Sequence, residues 1–244
     1  MNVLVTGGAG FIGSHLTRFL VGQGHQVTVL DNFDDAYDPA WKMNNLADVE
    51  INLVTGDVRD RAAVEEAMRG VDSVVHLAAL AGVRESLESP AEYASVNVGG
   101  TINVLEALRS RPGIPFIFAS SSSVYGNRTD GPFVESESLG FPASPYAASK
   151  RAAELMCHSA HLSWGQSVTM LRFFTVYGPW GRPDMAPMIF ANSILNHQKI
   201  DIFNYGKMIR DFTYIDDITE TIFRCCYKPA ISNTNFNPRK PEPS

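Results

Sequence analysis

Tyr146 and Lys150 stand four positions apart in a stretch, 146–163, whose apolar residues recur near helical spacing. On a helix that separation puts both side chains on one face, one turn from each other. A free phenol titrates at about 10, and a neighbouring ammonium, with any further positive charge beside it, favours its phenolate. Such a tyrosine can accept a hydroxyl proton while hydride leaves the same carbon. Four consecutive serines, Ser120 to Ser123, follow a β-branched and aromatic run and offer a hydroxyl to hold the reacting oxygen. Each piece also has a plain reading: Tyr-x-x-x-Lys recurs in many helices, and a serine run is an ordinary polar exit from a strand.

Hydride chemistry needs a carrier, and the run from Thr6 to Gly13, Thr-Gly-Gly-Ala-Gly-Phe-Ile-Gly, has the form of a carrier site. It satisfies two glycine spacings at once, through Gly7, Gly10 and Gly13 and through Gly8, Gly10 and Gly13. One glycine allows the tight turn, a second lets backbone approach a pyrophosphate, and a third permits close packing of the helix whose N-terminus attracts the phosphate charge. Asp31 closes the next strand-like run, where an acidic residue meets the adenosine ribose. A carboxylate there repels a 2′-phosphate, so the expected cofactor is NAD rather than NADP.

The elements that must position these groups follow from periodicity. Runs 3–6, 26–30, 51–55, 73–76, 115–119 and 167–173 read as buried strands, and 11–23, 61–69, 92–109 and 146–163 read as helices between them. That alternation implies an α/β fold: a doubly wound, Rossmann-type parallel sheet with right-handed crossovers. Past Phe174 the alternation stops. Gly178, Pro179, Gly181 and Pro183 crowd a loop before a helix expected over 186–196. We therefore expect an NAD-binding domain over 1–174, a small substrate region over 175–231, and a proline-rich loop or truncated tail over 232–244.

The bulk properties bound the partners. In 244 residues a formal charge of −6 argues against a sequence-independent nucleic-acid binder, which displays a basic face. An anionic substrate must then be captured by local arginines. Three cysteines, Cys157 and the adjacent Cys225 and Cys226, give neither a metal-binding spacing nor a disulfide framework, which points to a reducing cytoplasm. No run reaches about 18 apolar residues, so no membrane span is expected. His158, His161 and His197 lack acidic or cysteine partners, and no metal is expected. His76, at an apolar strand end, reads as a satisfied buried histidine.

Taken together, the glycine run, Ser121 and the Tyr146–Lys150 pair resemble the extended short-chain dehydrogenase/reductases, the NAD-dependent epimerase/dehydratase family, and the likeness runs through the whole chain. The runs Ala81-Gly82-Val83-Arg84, 172–186 and 203–217 look most like those of UDP-glucuronate 4-epimerases. The resemblance implies a catalytic trio of Ser121, Tyr146 and Lys150, with Ser120 and Ser122 structural. It implies cofactor contacts at Gly7, Gly10, Phe11, Ile12, Gly13, Asp31, Asn32, Asp57, Val58, Leu77, Ala78, Ala79 and Asn97, besides Tyr146 and Lys150. For the substrate, a UDP-sugar, it implies Val83, Arg84, Ser86, Ser121, Ser123, Thr175, Arg182, Met185, Asn204 and Arg210. It further implies a homodimer through the faces of 146–163 and 92–109, and residues beyond Ser244 that help cover the nucleotide.

The expected activity is oxidation at C4, rotation of the 4-keto sugar and return of the hydride to its other face. A 4-keto glucuronate is a β-keto acid, whose carboxylate leaves when its C–C bond aligns with the carbonyl π system. Arg182, with Thr175, is expected to hold that carboxylate near the carbonyl plane. The competing readings are decarboxylation to a pentose, epimerisation of a neutral UDP-hexose, and an inactive NAD-binding fragment.

Overall fold

The computed structural model describes residues 1–128, 131–137, 139–207 and 209–229, with 203 and 204 described in backbone only. Six short β-branched segments form one parallel sheet: β1 (Asn2–Thr6), β2 (Gln26–Asp31), β3 (Asn52–Thr55), β4 (Ser73–His76), β5 (Phe116–Ser121) and β6 (Val168–Phe173), in the order β3-β2-β1-β4-β5-β6. The order reverses between β1 and β4, and ligands of such sheets bind outside the strand ends at that point. The register there sets Val3 opposite Val27 on one side and opposite Ser73 on the other. The strand assignments read from sequence agree with these to within a residue or two.

Residue parity divides the core into two layers. Leu4, Leu30, Val74, Phe116 and Phe118 face α3 (Arg61–Ala67), α6 (Thr101–Leu108) and α7 (Pro145–Trp164). Val3, Val5, Val29, Val75 and Ile117 face the opposite way, toward Leu16 and Leu20 of α1 (Phe11–Gly22) and Ile218 and Ile222 of α9 (Ile215–Tyr227). Fully burying each such aliphatic side chain contributes about 1.5–3 kcal/mol. Thus α9, which the sequence reading put in the substrate region, packs beside α1 on the nucleotide-binding sheet. Its buried Ile215, Ile218, Thr219, Ile222 and Cys226 fall on one helical stripe.

Between β2 and β3 lies α2 (Pro39–Leu46), started by the Asp38 side chain, which accepts from the Ala40 N–H, and by Pro39 at the first helical position. The helix expected over 92–109 is broken into α5 (Pro90–Tyr93), a π-helical run (Ala94–Gly100) and α6, with a short α4 (Glu85–Glu88) ahead of it. Beyond β6, β7 (Thr175–Tyr177) and β8 (Phe212–Tyr214) form a separate parallel pair, and α8 (Ala186–Leu195) has no buried residue. Among the described residues no helix is long and apolar enough to cross a membrane.

Candidate active site

A cleft of about 610 Å3 opens at the carboxyl ends of the strands, over the β1/β4 reversal. Its floor is the glycine turn. Gly7 sits at φ +69°, and a Cβ there would stand 2.7 Å from the Ala78 nitrogen. A Cβ on Gly13 would come within 2.1 Å of the Gly7 oxygen, so the helix can approach the turn only without a side chain. Gly10 is different. Its φ is −71°, an added Cβ would meet nothing nearer than the Gly7 oxygen at 3.4 Å, and it begins α1 with no side-chain cap. The chain itself does not demand glycine at that position. The first-turn N–H groups have no intrahelical acceptor, and Gly10, Phe11, Ile12 and Gly13 line the cleft.

Asp31 is tied at the end of β2: its Oδ2 accepts from the Ala9 N–H and its Oδ1 from the Phe33 N–H, both at 2.9 Å. Burial raises its pKa, against the pull of those two donors and of the Lys42 charge. Asp57 is the opposite case. The Arg59 guanidinium grips it, Asn32 donates to it at 3.1 Å, and it is held below the ordinary carboxylate range. Lys42, buried and on the cleft wall, donates to the Asp34 carbonyl at 2.5 Å and lies 4.9 Å above the Tyr37 ring. Sequence reasoning missed Tyr37 and Lys42, although Asp38-Pro39 is a helix-start signal that marks the segment carrying them.

The cofactor wall, Leu77, Ala78 and Ala79, is held from behind. The Ala78 N–H donates to the Thr6 hydroxyl, which bonds His76 Nδ1 at 2.7 Å; His76 Nε2 lies 3.1 Å from the Thr101 hydroxyl, which donates to the Asn97 carbonyl. The directions fix a neutral imidazole with its proton on Nε2, and burial, which lowers the His76 pKa to about 3, agrees. His76 is the satisfied buried histidine expected. Asn97 accepts from the Leu80 N–H and donates to the Leu80 carbonyl and the Ser149 hydroxyl, so both of its N–H donors are used. It stands behind the wall rather than in the lining, and fixes the wall to α7.

At the other end of the cleft, Ser121, Tyr146 and Lys150 meet. The Ser121 hydroxyl is 3.0 Å from that of Ser123 and hydrogen-bonds the Tyr146 phenol. Burial raises the Tyr146 pKa, while that hydrogen bond and the Arg182 charge pull it down. The Lys150 ammonium donates to the Ala119 carbonyl at 2.8 Å, and burial lowers its pKa to about 8. Burial thus dominates at the phenol, and the charge that acts on it is that of Arg182 rather than the Lys150 ammonium expected from the four-residue spacing. Ser120 points away to Glu154, at 2.6 Å, in a buried cluster with Arg172 and Arg151 that pins β5 and β6 to α7. Its hydroxyl is thereby committed to that cluster, although Ser120 also lines the cleft.

Arg182 enters the same cleft from the loop after β7. Its Nε and Nη2 donate to Asp184 at 3.0 and 2.6 Å, and Nη2 reaches the Ala81 carbonyl at 3.5 Å. Tyr37, Tyr93 and Tyr146 all lie within its electrostatic reach.

Sequence comparison then decides the family: the model of the NAD dependent epimerase/dehydratase family matches residues 3–237. The chain belongs to this family. It is 44% identical to Protein CapI of Staphylococcus aureus, over 100% of this chain and 74% of that protein. It is 47% identical to UDP-glucuronate 4-epimerase 3 of Arabidopsis thaliana, over 90% of this chain and 53% of the plant protein, so it spans about half the length of that relative. Among solved structures, the Bacillus cereus UDP-glucuronic acid 4-epimerase in complex with UDP-glucuronic acid and NAD superposes with a TM-score of 0.87 at 34% identity, covering 97% of this chain and 74% of that one.

In this epimerase/dehydratase chain the expected contacts separate into two groups. Gly7, Gly10, Phe11, Ile12, Gly13, Asp31, Asn32, Asp57, Val58, Leu77, Ala78, Ala79, Ser121, Tyr146, Lys150, Arg182 and Met185 line one cleft. Several expected substrate contacts lie outside that lining. Ser86 is fully buried and its hydroxyl donates to the Val83 carbonyl at 2.7 Å, closing the first turn of α4. Val83 and Arg84 sit at the start of that helix, away from the lining. Thr175 is not in that lining, although Phe173, Phe174 and Val176 on either side of it are. Ser123 reaches the site only through Ser121, and Arg210 is exposed, donating to its neighbour's carbonyl. The Asn204 side chain and the tail over 232–244 lie outside the described residues. Tyr93, Glu85 and Asp184 are cleft residues that no sequence signal marked.

The glycine turn fits NAD: open space at Gly10, uncapped first-turn N–H groups, and a buried carboxylate at the end of β2 form a cradle for a dinucleotide.

Proposed function

We propose that the protein is an NAD-dependent 4-epimerase of UDP-glucuronate, interconverting it with UDP-galacturonate through a 4-keto sugar. The observation that carries this reading is the convergence of Ser121, Tyr146, Lys150 and Arg182 in one cleft with the glycine turn; the named activities of the relatives support it. When bound, NAD would supply a hydride acceptor and then a hydride donor for C4 of the sugar. Tyr146 takes the C4 hydroxyl proton and later gives it back, Ser121 holds that oxygen, and Lys150 holds the phenolate once nicotinamide charge is added to its own. The Gly10–Ile12 backbone and the α1 N-terminus hold the pyrophosphate, and Asp31 holds the adenosine ribose.

Arg182 is the group that makes a uronate the substrate. Its Nη1 edge has no partner among the described residues and remains for a carboxylate, while Asp184 fixes the opposite edge of the fork. Gripping the carboxylate near the carbonyl plane blocks its loss. Otherwise the C5–C6 bond breaks, its electron pair passes to the C4 enolate, carbon dioxide leaves and C5 is protonated.

The test is to incubate the purified protein with UDP-glucuronate without added cofactor. UDP-galacturonate alone is expected, and a pentose product or no turnover with retained dinucleotide would refute this assignment. Arg182→Ala should release carbon dioxide and a UDP-4-keto-pentose; a variant that oxidises C4 without releasing carbon dioxide would remove the carboxylate role. We also infer a homodimer through α7, whose Leu155 and Met156 are exposed, and a cytoplasmic setting, supported by three cysteines that all stand free. Sedimentation at micromolar concentration tests the dimer.

A further inference from the structure

The loop that carries Arg182 contains a local irregularity. Gly181 N–H bonds the Gly178 carbonyl at 3.3 Å, closing a four-residue turn with Pro179 second and Trp180 third. Trp180 has φ +58°. Turns with positive φ at the third position take glycine or asparagine, because a Cβ there crowds the backbone. A tryptophan in that position is strained, and strain of this kind persists only where surrounding contacts over-determine it.

Among the described residues, the ring and cation contacts of Trp180 lie on α1. The Trp180 ring centroid is 5.1 Å from that of His15 and 4.9 Å from the Arg18 guanidinium carbon. Both partners are themselves fixed. His15 Nδ1 lies 3.0 Å from the Phe11 carbonyl, and its ring meets the Phe11 ring edge-on at 5.5 Å. Arg18 donates twice to the Asn45 carbonyl and is paired with Asp48. Phe11 stands in the first turn of α1 and lines the cleft, and Arg182, two residues beyond Trp180, lines it from the other side. Trp180 itself is half exposed and is not in the lining.

We propose that Trp180 is a positioning residue: by seating its loop on His15 and Arg18 of the glycine-turn helix, it sets where Arg182 stands relative to the cofactor. The ring contributes no contact to substrate. It makes one rigid unit of the first turn of α1 and the arginine of the opposite wall, so that the carboxylate grip is referenced to the position of the nicotinamide rather than to a free loop. This rests on the reading of Arg182 as the carboxylate-holding group.

The informative variant is Trp180→Gly, because glycine suits the backbone at that φ and removes the anchor without adding strain. NAD affinity should stay within about twofold and the melting temperature should hold, while carbon dioxide release per C4 oxidation rises about tenfold or more, on the scale by which a misplacement of ~1 Å is felt in catalysis. Trp180→Phe should recover most of the normal partition, and Arg18→Met, which leaves the loop's own residues and the cleft lining unchanged but removes the guanidinium over the ring, should shift it in the same direction as Trp180→Gly. Arg182→Ala is run alongside. If it releases no carbon dioxide, the underlying reading of Arg182 fails. If it does while Trp180→Gly keeps the wild-type partition, or if Trp180→Gly merely loses NAD and melts early, the positioning role is overturned.

Discussion

Two alanine substitutions three residues apart should have opposite consequences. At Gly13 an added Cβ would stand 2.1 Å from the Gly7 oxygen and 2.7 Å from the Gly8 Cα, both backbone atoms that cannot step aside. Gly13→Ala must therefore push α1 off the turn, an overpacking cost of about 1–3 kcal/mol or more. At Gly10 the nearest atom is 3.4 Å away and φ is −71°, so alanine fits the apo protein. The gain from a stiffer unfolded chain, about 0.4–1 kcal/mol, is offset by alanine's poorer performance at a helix N-cap. Stability should change by less than about 0.5 kcal/mol. The methyl would nevertheless occupy the space a pyrophosphate needs, removing one charge-assisted N–H contact of about 1.5–3 kcal/mol, which at about 1.4 kcal/mol per decade is roughly 10- to 150-fold in Kd. Calorimetric melting of cofactor-stripped protein and titration with NAD measure the two quantities separately. Unchanged NAD affinity in Gly10→Ala, or a melting loss as large as that of Gly13→Ala, would refute the division of labour argued for these glycines.

Three further outcomes are expected. Tyr146→Phe should abolish turnover while leaving NAD affinity nearly intact, since the ring still packs; residual wild-type turnover would redirect attention to Ser121. Lys150 is depressed from 10.5 to about 8 by burial, so between those values the unfolded chain holds a proton that the folded chain has released, and stability rises with pH. Lys150→Met removes that slope: its effect on cofactor-free stability should be more favourable at pH 7.5 than at pH 9.5 by about 2 kcal/mol, since the orphaned Ala119 carbonyl costs the same at both. A pH-independent difference in denaturant melts would contradict it. Asp31→Gly should narrow the preference for NAD over NADP by removing the carboxylate that repels a 2′-phosphate; tighter NADP than NAD binding in the wild type would show that Asp31 does not set it.

What could be read from sequence was what local periodicity and backbone sterics dictate. The strands are short β-branched runs between breakers, and the glycine turn follows from atoms that cannot coexist, so both were legible. The cleft walls were not, because Tyr37, Glu85, Tyr93 and Asp184 come from loops and short helices with no repeat of their own. α9 carried its signal openly, Ile215, Ile218, Thr219 and Ile222 at helical spacing, yet it follows an irregular segment and is recruited to the sheet by long-range packing alone. Resemblance located the right segments, while individual side chains obeyed local rules: Ser86 is consumed by a helix start.

The π-helical run Ala94–Gly100 makes the active site sensitive to chain length rather than to residue identity. Each residue of an α-helix turns the chain by about 100°, and π turns hold one residue more than α turns. Deleting one residue there would let the run relax to an α-helix without losing a hydrogen-bonded turn. The segments on either side would keep their phase, but positions inside the run would shift by one residue, Asn97 would leave Leu80 and Ser149, and the cofactor wall would part from the helix that bears Tyr146. Composition would barely change. In this segment the site is kept by counting residues.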